Sequence, residues 1–126
     1  MGGSNVKDNL IHFRIEFIIK DGKLDEFKKL VRKMSKLVQA NEPGTLIYRF
    51  YLDKDQTKCV VHEIYANSGA VLTHDNSHAS QTILPRIFSI SRISKFEVYG
   101  NPNKKLQKAL TSFSPDTYNL FTGFSR

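Results

Sequence analysis

Hydrophobic and polar residues alternate strictly over residues 10–19, "LIHFRIEFII", with Ile11, Phe13, Ile15, Phe17 and Ile19 on one side and His12, Arg14, Glu16 and Ile18 on the other. A period of two is the signature of a half-buried strand. "KDG" then turns the chain, and Leu24, Phe27, Leu30, Val31, Met34, Leu37 and Val38 recur at helical spacing, forming one apolar stripe that ends before Pro43-Gly44. Alternation returns over residues 45–53, "TLIYRFYLD", and "KDQT" joins it to residues 58–66, "KCVVHEIYA", which predicts an antiparallel pair. A second helix opens near Asn67 or Ser68, whose side chains can accept from unpaired backbone N–H groups. It runs with interruptions to Ile87, with Pro85 kinking or ending it. Residues 92–100, "RISKFEVYG", make the last strand.

Strand, helix, strand, strand, helix, strand is the order of the ferredoxin-like βαββαβ fold, an α+β class. It predicts one domain over residues 10–100, preceded by a flexible lead over 1–9 that begins "MGGS". An extension over 101–126 follows, in which "NPNKKLQKAL" has the character of a helix start and Tyr118, Phe121 and Phe124 stand in a polar background. Those aromatics call for a surface to cover, on the domain itself or on a dimer partner.

Both helices of such a fold cover one side of the sheet. Giving them the more apolar set of each strand (11, 13, 15, 17; 46, 48, 50, 52; 60, 62, 64; 94, 96, 98) makes Tyr48 and His62 hydrogen-bonded core residues. The opposite side then carries His12, Arg14, Glu16, Ile47, Arg49, Tyr51, Cys59, Val61, Glu63, Tyr65, Ile93, Lys95, Glu97 and Tyr99. That mixture of aromatic, aliphatic and charged groups suits a face that meets a second sheet around a cavity. The expectation is a homodimer, with simple exposure or cover by the extension as the alternative.

Composition narrows the classes. The chain has 126 residues, 40% hydrophobic and 25% charged, which suffices for one core without metals or disulfides. No apolar run approaches the roughly 20 residues of a membrane span, and no secretory leader is visible. With the single Cys59, a reducing cytoplasm is the expected compartment. The net charge of +7 invites an anionic partner. Its lysines and arginines cluster over 23–36 and at Arg86, Arg92, Lys95, Lys104, Lys105 and Lys108, without interleaved aromatics or glycines, so solvated helix faces account for most of them.

"EPGTLIYRFY" from Glu42 and "VVHEIYANSGAVLTHDNSHAS" from Val60 resemble the antibiotic biosynthesis monooxygenase family of dimeric α+β barrels. The residues that carry the resemblance are Glu42, Pro43, Gly44, Tyr48, Glu63, Tyr65, Ala70, His74, Ser77 and His78. The absence of tryptophan and the extension past Gly100 depart from the family pattern. The resemblance implies oxygenation of a small aromatic quinol or phenol by O2, with no flavin, haem or metal cofactor. An ionised quinol can pass an electron to O2 itself, so the protein need supply only a base, a partner for the anion and a dry cavity. It makes Glu63, His74 and His78 the candidate bases, Arg14 and Arg49 the candidate anion partners, and Tyr51 and Tyr65 the residues that stack on or bond the ring.

Other classes remain in view. A non-catalytic dimeric barrel that binds or senses a small aromatic or hydrophobic ligand needs the same cavity. His74 and His78, four apart, could join Glu63 in a two-histidine, one-carboxylate metal site, although Asp75, Asn76 and Ser77 between them favour turns over helix. Haem degradation by a related barrel uses a tryptophan that is missing here, and Asn5 and Asn9 precede the first strand. Nucleic-acid binding by a sheet of this strand order needs a basic-Gly-aromatic stretch, for which "TKCVVHEIY" has no glycine.

Overall fold

The computed structural model describes residues 8–126, so all of the N-terminal lead but Asp8 and Asn9 lies outside the described residues. The elements are β1 (Ile11–Ile19), α1 (Leu24–Asn41), β2 (Thr45–Leu52), β3 (Lys58–Tyr65), α2 (Ser68–Asp75), α3 (His78–Thr82), α4 (Leu84–Ser89), β4 (Ser91–Tyr99), α5 (Lys104–Leu110) and β5 (Asp116–Tyr118). They form one mixed sheet in the order β2-β3-β1-β4-β5, antiparallel except for the parallel β4–β5 pair. This is the ferredoxin-like arrangement with a fifth strand added. None of the described helices is long and apolar enough to cross a membrane.

The alternation of β1 becomes a strict inside-outside pattern, because β1 lies centrally and its odd-numbered side chains meet α1. Phe27, Leu30, Val31, Met34 and Val38 are the buried residues of that helix, and each side chain of this size stabilises the fold by about 1.5–3 kcal/mol when fully covered. The β2–β3 hairpin is closed by Asp53, whose Oδ1 accepts from the backbone N–H groups of Thr57 and Lys58 at 3.0 and 3.1 Å.

The second helical stretch is three short helices. Asn67 caps α2 by accepting from Ala70 N at 2.8 Å, and Ser77 caps α3 by accepting from Ser80 N at 3.1 Å. The caps compete with helix continuation at the Asp75-Asn76-Ser77 step, so the chain breaks there. Pro85 opens α4 rather than kinking or ending a helix, since a first-turn position has no use for the missing N–H.

Face assignments change in three strands, and in β2 Leu46, expected under the helices, is instead exposed beside an irregularity between Thr45 and Ile47. The expected phase of β3 is inverted: Phe13 pairs with Glu63, Ile15 with Val61 and Phe17 with Cys59, so Cys59, Val61, Glu63 and Tyr65 point towards the helices, and Val60, His62 and Ile64 point away. In β4 an irregularity shifts the register between Lys95, opposite Glu16, and Ile93, opposite Phe17. The extra residue turns Ile93 inwards, so it leaves the outer set.

The outer face consequently carries a row of rings across all five strands. Tyr51–His62, His62–His12, His12–Tyr99 and Tyr99–Tyr118 have centroid separations of 5.3, 5.3, 5.4 and 5.1 Å. Beside the row, Arg14 reaches Glu16 at 3.3 Å and Glu97 at 3.5 Å.

Past β4, Gly100 has φ +119°, and a Cβ there would stand 2.5 Å from the carbonyl oxygen of Leu10, so only glycine lets the chain leave the sheet at this point. Asn103 then caps α5, accepting from Leu106 N at 2.9 Å, and Leu106 and Leu110 are buried against the domain. β5 returns along β4.

Candidate active site

The inverted phase of β3 carries a carboxyl group into the core. Glu63 is 7% exposed and lies between Phe13 of β1 and Tyr48 of β2 in the sheet register. Tyr65, two residues on and therefore on the same side, donates its hydroxyl to Glu63 Oε1. The last turn of α2 brings His74 and Asp75 over them. The His74 ring packs against Tyr48 at 5.4 Å and Tyr65 at 5.6 Å between centroids.

His74 is aimed by a residue from a distant part of the chain. Glu42 caps the C-terminus of α1 and is buried, and His74 Nδ1 donates to its Oε1 at 2.7 Å. A ring nitrogen committed to a carboxylate fixes the tautomer and leaves Nε2 for other work. The loop that permits this contact depends on Gly44, where a Cβ would sit 2.7 Å from the Cβ of Ala70 on α2. Gly44 also accepts from Ala66 N at 2.9 Å, which ties the loop to the end of β3.

Tyr48, Glu63, His74 and Asp75 border a cavity of about 70 Å³. Its walls are Phe13, Ile15, Phe17, Ile93 and Phe96 of the sheet, with Phe88 and Phe113 at 39% and 45% exposure marking the outer side. Little water can enter such a lining, and the ionisable groups respond. Burial raises the Glu63 carboxyl above its ordinary value, against the opposing influence of His74 and of the Tyr65 hydrogen bond. Burial likewise raises Asp75, and it pushes the phenols of Tyr48 and Tyr65 well above theirs. The site thus gathers carboxyl and phenol groups, each raised above its ordinary value by burial, around one imidazole.

Of the residues singled out in the sequence, Glu63, His74 and Tyr65 come together here. His78 does not, because it starts α3 as an exposed residue. Arg14, Arg49 and Tyr51 lie across the sheet on the outer face, Arg14 in its ion pairs and Tyr51 in the row of rings. Tyr48, Asp75 and Glu42 belong to the site although the sequence marked none of them as chemical. Glu42 and Tyr48 were visible as parts of the family-like motif, and Asp75 as a neighbour of His74. With His74 buried and His78 exposed on separate helices, the two-histidine, one-carboxylate arrangement does not form. Among the described residues no group of three or more His, Cys, Asp and Glu is placed to hold a metal ion.

The ferredoxin-like fold is also what comparison shows. Residues 10–86 match the antibiotic biosynthesis monooxygenase family, and the chain belongs to that family. MupZ from Pseudomonas fluorescens is similar over 100% of this chain and 96% of its own, with 23% identity and a TM-score of 0.85. A conserved protein from Methanosarcina mazei Go1 is similar over 72% of this chain and 89% of its own, with 18% identity and a TM-score of 0.64. An antibiotic biosynthesis monooxygenase is similar over 70% of this chain and 92% of its own, with 20% identity and a TM-score of 0.61. These likenesses establish the fold, and that to MupZ takes in the extension. No curated protein matches the chain.

Proposed function

We propose that the chain is a cofactor-independent monooxygenase that oxidises a small aromatic phenol or quinol with O2. The observation that carries the reading is the placement of Glu63, whose carboxyl is raised by burial, beside His74 at one small cavity, with Tyr65 donating to Glu63 from behind. His74, oriented by Glu42, takes the substrate hydroxyl proton on Nε2. The resulting anion is bonded by the hydroxyl of Tyr48 and reduces O2 by one electron, and the radical pair closes to a peroxide on the ring carbon. Glu63 protonates the distal oxygen. The O–O bond then breaks as the ring carbon gives its proton back to the Glu63 carboxylate and becomes a carbonyl, and the departing hydroxide takes the proton held by His74 and leaves as water.

The balance is phenol plus O2 giving quinone plus water, so all four electrons come from the substrate and no external reductant is consumed. Arg14 and Arg49 take no part, because the sheet separates them from the cavity. A ring exceeds the present cavity and enters when Phe88 and Phe113 swing outwards.

The reading includes a homodimer through the outer face, supported by its row of rings and half-covered aliphatics, and a reducing cytoplasm, supported by the buried thiol of Cys59. Oxygen uptake with a panel of quinols and phenols tests the activity. Turnover above the autoxidation blank, lost in Glu63→Gln and His74→Ala, is the expected result. Uptake equal to the blank across the panel would leave a ligand-binding barrel with no oxygenase chemistry.

A further inference from the structure

Beyond β5 the chain carries its most exposed apolar side chains. Phe121 is 95% and Phe124 80% exposed, with Leu120 at 49%. Their neighbours, Asp8, Asn9, Asn67, Asn101 and Asn103, are polar and offer these rings no dry surface. Elsewhere the same molecule has the complementary defect. Between α1 and the β2 edge lies an open groove of about 300 Å³, lined by Phe27, Val31, Tyr48, Phe50, Leu52 and Cys59. A cavity of ~150 Å³ takes one benzene ring, so this groove has room for two.

Within one chain Phe121 cannot reach the groove, and Phe124 could do so only at full stretch. Tyr118 is pinned by its stack on Tyr99 at 5.1 Å, and Phe121, three residues on, reaches only about 10 Å from it. The strand order puts the groove at the opposite border of the sheet, four inter-strand spacings or about 19 Å away. Phe124 could barely span that distance even with the segment fully extended.

We propose that residues 119–126 form an exchanged clasp, in which Phe121 and Phe124 of one copy seat in the α1–β2 groove of a second copy and the second copy reciprocates. Reciprocity follows from the closed twofold symmetry of most homodimers. Each aromatic ring contributes about 150–250 Å². Two arms and the two grooves beneath them bury on the order of 1,600 Å², the size of a stable interface. The clasp rests on the homodimer reading above and adds the surface that holds it.

A mixing experiment tests it in a Cys59→Ser background. Chains carrying Phe124→Cys are combined with chains carrying Lys28→Cys, at the groove rim, and oxidised. The expected product is a two-chain species joining unlike chains, lost when Phe121→Asp is added to the arm. Cross-linking only within a single chain that carries both cysteines, or no more than between Phe124→Cys and a distant Lys95→Cys, overturns the clasp. Sedimentation of the chain shortened to residue 119 should show self-association weakened about tenfold or more. An unchanged dimer would sink the clasp and leave the homodimer standing, whereas a monomeric full-length chain at tens of micromolar would sink both.

Discussion

Glu42 Oε1 and His74 Nδ1 stand 2.7 Å apart, with each side chain 4% exposed, so a residue at the end of α1 sets the direction of a ring on α2. Removing the acceptor leaves a buried donor without its partner, which costs about 1–3 kcal/mol. Glu42→Ala should lose stability of that order in urea unfolding. Glu42→Gln, which keeps an acceptor, should lose less, and both should lose turnover as the His74 tautomer is released.

Gly44→Ala should destabilise by about 1–3 kcal/mol, the usual cost of forcing extra volume into a packed site, because its new methyl would meet Ala70 Cβ at 2.7 Å. Thermal unfolding of Gly44→Ala with Ala70→Gly provides the check. Recovery of most of the loss in the double variant locates the clash between these two residues.

The raised carboxyl of Glu63 has a definite pH signature. Its native pKa lies above the ordinary value of 4.5, so between the two the native chain holds more protons than the unfolded one. The stability from this group is complete at acid pH and falls as pH rises through the native pKa. Asp75 contributes in the same direction. Glu63→Gln should flatten that slope in denaturation measured at several pH values.

Tyr65→Phe removes the hydrogen bond that favours the Glu63 anion. The Glu63 titration should move further up, carrying with it the alkaline limb of any pH–rate profile, because the group is used as an acid. The lost bond should cost about 1–3 kcal/mol, the penalty for a buried group left without a partner. A limb that stays in place would show that Glu63 is not the proton donor.

His12 titrates the other way. Burial first, and then the neighbouring His62, lower its pKa from 6.5. The native chain therefore holds fewer protons than the unfolded one just below that value, and stability declines as pH falls through it. Tyr99, Arg14 and Glu97 share the outer face around it. His12→Phe should remove the acid loss, read as a smaller shift in thermal midpoint between pH 7 and pH 5.5.

The elements were legible in the sequence wherever one period governed a whole segment. β1 alternates without exception and α1 carries one stripe, so local pattern and tertiary burial agree. β3 misled because Val60, His62 and Ile64 are collectively more apolar than Cys59, Val61, Glu63 and Tyr65, and hydrophobicity alone puts the wrong set inside. The set that goes inside includes a carboxyl group, Glu63, which a count of apolar side chains places outside. Ile93 was hidden by a single inserted residue that leaves no mark in composition. The pairing of Glu42 with His74 was beyond reach, because a glutamate just past the last apolar position of a lysine-rich helix reads as solvated until its partner 32 residues away is known.

The fifth strand has a bearing on solubility. Three residues long, β5 covers Glu97–Tyr99 on the β4 side of the sheet and leaves residues 91–96 of β4 and the β2 border without a strand partner. Stacking strand upon strand into a fibre requires a long unpaired margin at each end of every unit. By shortening the margin that β4 offers, three residues that touch no part of the pocket leave less backbone free for polymerisation.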